Sequence, residues 1–364
     1  MNTIPKFHGS DLEQVSAYYH IPQNEILCFS SNVNPLGLSS SVKEKLSKNL
    51  DIISSYPDRN YTALRNSIGH YCNINPDFVT VGNGATELIS LLIKQRRPER
   101  TLLLGPTYSE YEHELSMVNG EIIHYTLQSH DQFQLDIEDF FAALRDNIQL
   151  LIICNPNNPT SSAIRKDTME KILKKCDSLG IFVMIDETYV EFAPCVDEIS
   201  AVSLVSDYSN VMVLRGVSKF FASPGLRLGY GITSNETFLS DLKTHQNPWS
   251  LNSVAAYVGE LLFSDDEYIQ ETKELIYNER KKICNELSTW KNIQYYDPQA
   301  NFILIKILKP GLTSGDIFET LIKDGLMIRD CSSFEYLDGE FFRFCILNPK
   351  DNDRLLAKLK AILE

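Results

Sequence analysis

The chain has 364 residues, 43% of them hydrophobic and 23% charged, so it is long enough for two domains, each with its own core, and too apolar for a disordered chain. Its formal charge of −14 argues against a nucleic-acid or anionic-membrane partner, although a local basic pocket for an anionic substrate remains open. Eight cysteines without a CxxC pair, several inside apolar runs, read as reduced core thiols of a cytoplasmic protein. The N-terminus lacks the apolar region of a secretory signal, no apolar stretch approaches membrane-spanning length, and no metal site is expected.

Residues 1–28 read as a polar arm, with a loop His8-Gly9-Ser10-Asp11 that ends in an N-cap and a short helix from Asp11 to His20. FSSNVNPLGLSS (29–40) is rich in turn residues, a helix is predicted over Ser41–Leu50, and Tyr56-Pro57-Asp58 is expected to start another. From residue 78 strands alternate with helices. The strands are FVTVGNG, TLLLG, EIIHYTL, LLIIC, IFVMID and VMVLRG, with LRLGYGIT as a further one. Short apolar strands between helices predict an α/β domain over 29–245, a mostly parallel sheet flanked by helices. After residue 246 come a long helix near Asp265–Trp290, a strand at Asn301–Ile307, a helix at Ser314–Gly325, strands near Leu326–Arg329 and Phe341–Leu347, and a last helix at Asp351–Leu363. That segment reads as a smaller α+β domain, joined by the N-terminal arm.

In parallel sheets ligands bind beyond the carboxyl ends of the strands, and four features fall there. Gly82-Asn83-Gly84-Ala85-Thr86 is a glycine turn that opens a helix, where free N–H groups attract an anion; it is not GxGxxG, which disfavours a dinucleotide site. Asn155-Pro156-Asn157-Asn158-Pro159-Thr160 is a rigid loop that presents Asn158. Asp186 ends an apolar strand, with Tyr189 three residues on. Lys219 follows VMVLRGVS, where apolar surroundings favour the neutral amine that attacks a carbonyl; Ser218 and Arg227 lie near it in sequence. A carboxylate for a pyridine nitrogen, an amide and a phenol for a ring oxygen, a phosphate cup and an imine-forming lysine together describe a pyridoxal-phosphate site.

The motifs NPNNPT, IDETY and SKFFASPGLRLG resemble those of the fold-type I, class I/II aminotransferase superfamily of pyridoxal-phosphate enzymes, over essentially the whole chain. The resemblance implies a large cofactor-binding domain with a smaller α+β domain, and makes Lys219 the catalytic lysine. It implies that Asp186 pairs with the ring nitrogen, that Asn158 and Tyr189 contact the ring oxygen, and that Tyr108 stacks on the ring. Gly84, Ala85, Thr86, Ser218 and Arg227 would hold the phosphate, and Tyr56 would reach the phosphate of a neighbouring subunit, which implies a homodimer with shared sites. Two positions depart from the family pattern: Ser161 replaces the usual glycine after NPNNPT, and Gly216 replaces a frequent hydroxyl residue.

Arg343 matches the family's arginine for a substrate carboxylate, and Arg329 one that binds a substrate phosphate. The segments FHGSD, FSSNVNPLG, QNPWSLN and IRDCSSF resemble the branch that contains L-threonine-O-3-phosphate decarboxylases, and imply that His8 and Asn34 bind substrate. The general motifs fit histidinol-phosphate aminotransferases nearly as well. The expected substrate is therefore a small phosphorylated amino acid or amine.

Overall fold

A computed structural model describes residues 7–364. The strands are β1 (Leu27–Cys28), β2 (Val79–Asn83), β3 (Arg100–Gly105), β4 (Glu121–Thr126), β5 (Leu150–Cys154), β6 (Phe182–Asp186), β7 (Val211–Gly216), β8 (Leu228–Ile232), β9 (Ile293–Tyr295), β10 (Phe302–Ile307), β11 (Leu326–Met327), β12 (Arg329–Asp330) and β13 (Phe341–Cys345). The helices are α1 (Leu12–Tyr19), α2 (Ser40–Ser47), α3 (Thr62–Cys72), α4 (Gly84–Arg96), α5 (Glu110–Ser116), α6 (Ile137–Ala143), α7 (Lys166–Ser178), α8 (Glu236–His245), α9 (Ser253–Leu262), α10 (Asp266–Leu287), α11 (Ser314–Ile322) and α12 (Pro349–Leu363).

The large sheet has the order β2-β8-β7-β6-β5-β3-β4, and β8 alone runs antiparallel to its neighbours. Its central strands are apolar throughout because both faces are covered. In β7, Val211 and Val213 face one core while Met212 and Leu214 face the other, as the two-residue period of a strand requires. Because β5, β6 and β7 are neighbours, the residues just past their ends meet although they lie far apart in the chain. A smaller antiparallel sheet, β12-β13-β10-β9, places Arg329 directly opposite Arg343. The N-terminal arm joins this side: β1 pairs in parallel with β11, and Tyr19 donates to Glu319 on α11.

Several local expectations shift. Asp11 stands at the N-cap of α1 but makes no cap hydrogen bond, because its carboxylate accepts from the His8 N–H at 2.6 Å. The helix expected at Tyr56-Pro57-Asp58 starts at Thr62, with Asp58 accepting from the Thr62 N–H at 2.7 Å. α9 lies past the expected domain division at residue 246, yet it packs on the large-sheet side: Gly259 lies against Leu64 of α3 and Leu228 of β8. Among the described residues no helix is long and apolar enough to cross a membrane.

Candidate active site

The carboxyl ends of β3, β5, β6 and β7 and the basic end of the small sheet enclose a cavity of about 310 Å³. Lining it are His8, Ala85, Thr86, Tyr108, Asn158, Asp186, Tyr189, Ser218, Lys219, Arg227, Arg329 and Arg343. Three other expected residues do not line it. Gly84 lies one residue behind the wall. Tyr56 stands 81% exposed against Trp249, with ring centroids 4.9 Å apart. Asn34 is a correction: it is buried, and its amide Nδ2 has the Phe220 carbonyl at 2.7 Å, Tyr268 Oη at 2.9 Å and Thr272 Oγ1 at 2.9 Å, three acceptors for its two N–H groups. Its side chain is spent on tying the loop after β1 to the segment after Lys219, which leaves nothing to offer a substrate.

Lys219 leaves β7 into this cavity and donates to the Ser31 carbonyl at 2.7 Å. Burial, reinforced by the positive charge of Arg343, pushes its ammonium down to about 8, so a substantial neutral fraction exists near neutral pH. Asp186, at the end of β6, is buried, and Thr188 holds one carboxylate oxygen with its N–H at 2.9 Å and its hydroxyl at 2.5 Å. Tyr111 donates to the other oxygen at 2.7 Å. Burial raises the pKa of the Tyr189 phenol, which therefore stays protonated near neutral pH, against the opposing effect of the hydrogen bond it accepts from Asn32 Nδ2 at 3.5 Å. Burial also pushes Tyr108 up to about 12.

At the N-terminus of α4 the first-turn N–H groups have no partner within the helix, and the helix dipole adds positive potential there. Gly84 sits at φ 78°, where a Cβ would fall 2.4 Å from Arg227 Nη2, so only glycine lets the guanidinium close over the helix end. Arg343 donates to Asn158 Oδ1 and, at 3.0 Å, to the Ser30 carbonyl, while its buried Nε has no partner. Arg329 donates to the Phe7 carbonyl and, at 2.8 Å, to Ser333 Oγ. Burial, then the charge of Arg343, lowers the pKa of Arg329. Two guanidinium groups facing each other across paired strands repel, and anions placed between them relieve that cost.

Sequence reasoning missed Tyr111, Thr188, Ser31, Ser333 and Phe334. Thr188 carries a signal, two residues past an aspartate that turns on its own backbone; the others are placed only by packing. Ser161 answers one of the two departures: it adopts φ 61°, the conformation a glycine takes freely, and its hydroxyl accepts from the Ala300 N–H at 2.9 Å. A buried carboxylate clamped by three donors, an unspent helix N-terminus with a bare Gly84 and a lysine of lowered pKa fit pyridoxal phosphate.

Fold and site together define an enzyme with a large parallel-sheet domain and an anion-binding catalytic cavity. The chain belongs to the aminotransferase class I and II family, whose sequence profile matches residues 24–359, and membership implies pyridoxal phosphate as cofactor. It is 36% identical over 334 residues to a Caldanaerobacter subterraneus protein provisionally named threonine-phosphate decarboxylase, covering 92% of this chain and 89% of that one. It is 31% identical to the threonine-phosphate decarboxylase of Salmonella typhimurium, over 98% of this chain and 96% of the relative. The crystal structure of the histidinol-phosphate aminotransferase from Clostridium acetobutylicum superposes with a TM-score of 0.86 at 33% identity, over 92% of this chain and 98% of that one.

Proposed function

We propose that the chain is an L-threonine-O-3-phosphate decarboxylase that makes aminopropanol phosphate for the cobamide side chain. The observation that carries this reading is the facing pair Arg329 and Arg343 in a cavity that also holds Lys219. Threonine phosphate presents a carboxylate and a phosphate in one molecule, one for each guanidinium, whereas an aminotransferase would use the two in turn, one on glutamate and the other on histidinol phosphate. The two threonine-phosphate decarboxylase relatives support the same choice.

Bound pyridoxal phosphate supplies an electron sink for the pair released at the substrate Cα. Asp186, oriented by Tyr111 and Thr188, would hold a proton at the ring nitrogen. Asn158 and Tyr189 would meet the ring oxygen, Tyr108 would cover the ring, and Ala85, Thr86, Ser218 and Arg227, all lining the cavity, would hold the phosphate group. Arg343 takes the substrate carboxylate, and Arg329 with His8 takes the substrate phosphate. These contacts would set how the substrate is oriented in the cavity. After carbon dioxide has left with the bond to Cα broken, Lys219 Nζ, as the ammonium, would give a proton to Cα and become the neutral amine.

A second reading, histidinol-phosphate aminotransferase with glutamate and 2-oxoglutarate, is supported by the structural neighbour at 33% identity. The purified enzyme is incubated with threonine phosphate alone. Carbon dioxide without a keto-acid acceptor is the expected result; turnover only with histidinol phosphate and 2-oxoglutarate overturns the proposal. We place the enzyme in the cytoplasm as a homodimer with shared sites. Eight free cysteines support the first point, and the exposed Tyr56 beside Trp249 and Arg59 supports the second.

A further inference from the structure

The wall of the catalytic cavity has an outer face with chemistry of its own. On α5, Tyr111 turns into the cavity, and Glu112 beside it turns out. On the connection between β12 and β13, Ser333 and Phe334 line the cavity, and Glu335 turns out. Both carboxylates meet His124 of β4. One donor atom from each of the three lies within 4.8 Å of the other two, and His124 Nε2 stands 3.7 Å from Glu335 Oε2. Donor atoms of the Glu112 and Glu335 carboxyl groups also stand within 4.8 Å of each other, which brings two acids beside one imidazole.

We propose that Glu112, His124 and Glu335 form a divalent-cation site that pins the β12–β13 connection to the large sheet. Two carboxylates and an imidazole from three separate elements suit zinc, which binds nitrogen and oxygen donors at about 2.0–2.2 Å and outranks manganese and ferrous iron at such sites. At those lengths the donor atoms stand roughly 3.3–3.6 Å apart. The 3.7 Å pair is already close to this, and Glu335, whose side chain is 52% exposed, is free to turn inward and close the rest. Water completes the coordination. The histidine is prepared for the role: its ring meets Tyr336 edge to face at 5.3 Å, and Tyr336 also covers Gly105 at the end of β3. Tyr336 holds φ 66°, a left-handed conformation uncommon for a residue of its size, which turns the connection back onto the sheet.

The site lies outside the catalytic cavity but acts on its wall. Ser333 accepts from Arg329 Nη2 at 2.8 Å, and Phe334 lies under the same guanidinium at 5.2 Å. A cation on Glu335 therefore fixes the segment that holds the proposed phosphate-binding arginine. The inference concerns residues separate from those that carry the decarboxylase reading, and it stands or falls without it.

The test is calorimetric titration of the full-chain holoenzyme with zinc chloride, repeated on Glu112→Gln, His124→Gln and Glu335→Gln. One zinc per chain is expected, with affinity reduced about tenfold or more in each variant. Amide hydrogen exchange over residues 332–338 should slow on adding zinc to the wild type and stay unchanged in Glu335→Gln. Glu335 sits on an exposed connection, so that variant keeps its fold and keeps the test decisive. Absence of stoichiometric uptake, or uptake that all three substitutions leave intact, overturns the proposal.

Discussion

Lys219 has two properties that pull against each other: it must be enclosed to be a nucleophile, and enclosure of an ammonium costs stability. Its folded pKa of about 8 lies below the value of an exposed lysine. The unfolded chain therefore binds more protons between about pH 8 and 10.4, and stability contributed at this position rises with pH across that window. Below pH 8 the penalty is complete, at most about 3 kcal/mol, since the side chain keeps some solvent access across the cavity. Lys219→Met in the cofactor-free chain should raise unfolding stability below pH 8, with the gain shrinking toward pH 10.4; a pH-independent difference in urea denaturation would sink this account. Arg329 offers a second residue-scale prediction. Arg329→Ala should weaken threonine phosphate by about 2 kcal/mol or more and unphosphorylated threonine far less, measured as KM or inhibition constants. Equal losses for both ligands would remove Arg329 from phosphate recognition.

At the scale of elements, the phosphate end of the site depends on how closely β8 approaches the start of α4. A Cβ on Gly229 would lie 2.2 Å from the Ala85 nitrogen and 2.4 Å from the Gly84 carbonyl carbon, and backbone atoms have no side-chain freedom with which to retreat. Gly229→Ala should therefore cost about 3 kcal/mol and loosen cofactor binding, read by denaturant midpoint and cofactor titration. An unchanged midpoint would overturn the tight approach of β8 to α4. The strands of this region were legible as apolar runs because burial on both faces leaves no room for alternation. Helix starts were less so. Asp58 reads as a start signal at Tyr56-Pro57-Asp58, but helix begins at Thr62, where the Asp58 carboxylate satisfies a free N–H. The helices α8 and α9 escaped notice because their apolar faces make sense only against partners remote in the chain, Phe182 for α8 and Leu64 and Leu228 for α9. Asn34 shows the same limit: a turn-forming asparagine looks the same in sequence whether its amide waits for a ligand or is spent on Phe220, Tyr268 and Thr272.

At the scale of the whole molecule, Leu50, Ile53, Tyr56 and Trp249 are exposed large apolar residues, with relative exposures of 53%, 62%, 81% and 41%. Exposed apolar residues of this kind fit the subunit contact proposed above. Sedimentation should give a dimer; Ile53→Asp should shift it toward monomer and weaken cofactor binding, because Tyr56 would lose the neighbouring site we propose for it. A monomeric wild type with full cofactor affinity would refute the shared site. By itself, the sequence determined the α/β class, the family and most of the expected residues that line one cavity. Strand-end lysine, aspartate and asparagine motifs are local, and a parallel sheet brings its strand ends to one edge. Only the tertiary structure decided that Tyr111 and Thr188 clamp Asp186, that Arg329 and Arg343 face each other, that Asn34 is structural, and that Glu112, His124 and Glu335 converge. Each of these depends on the distance between residues remote in the chain, which strand order and side-chain packing set and local pattern does not encode.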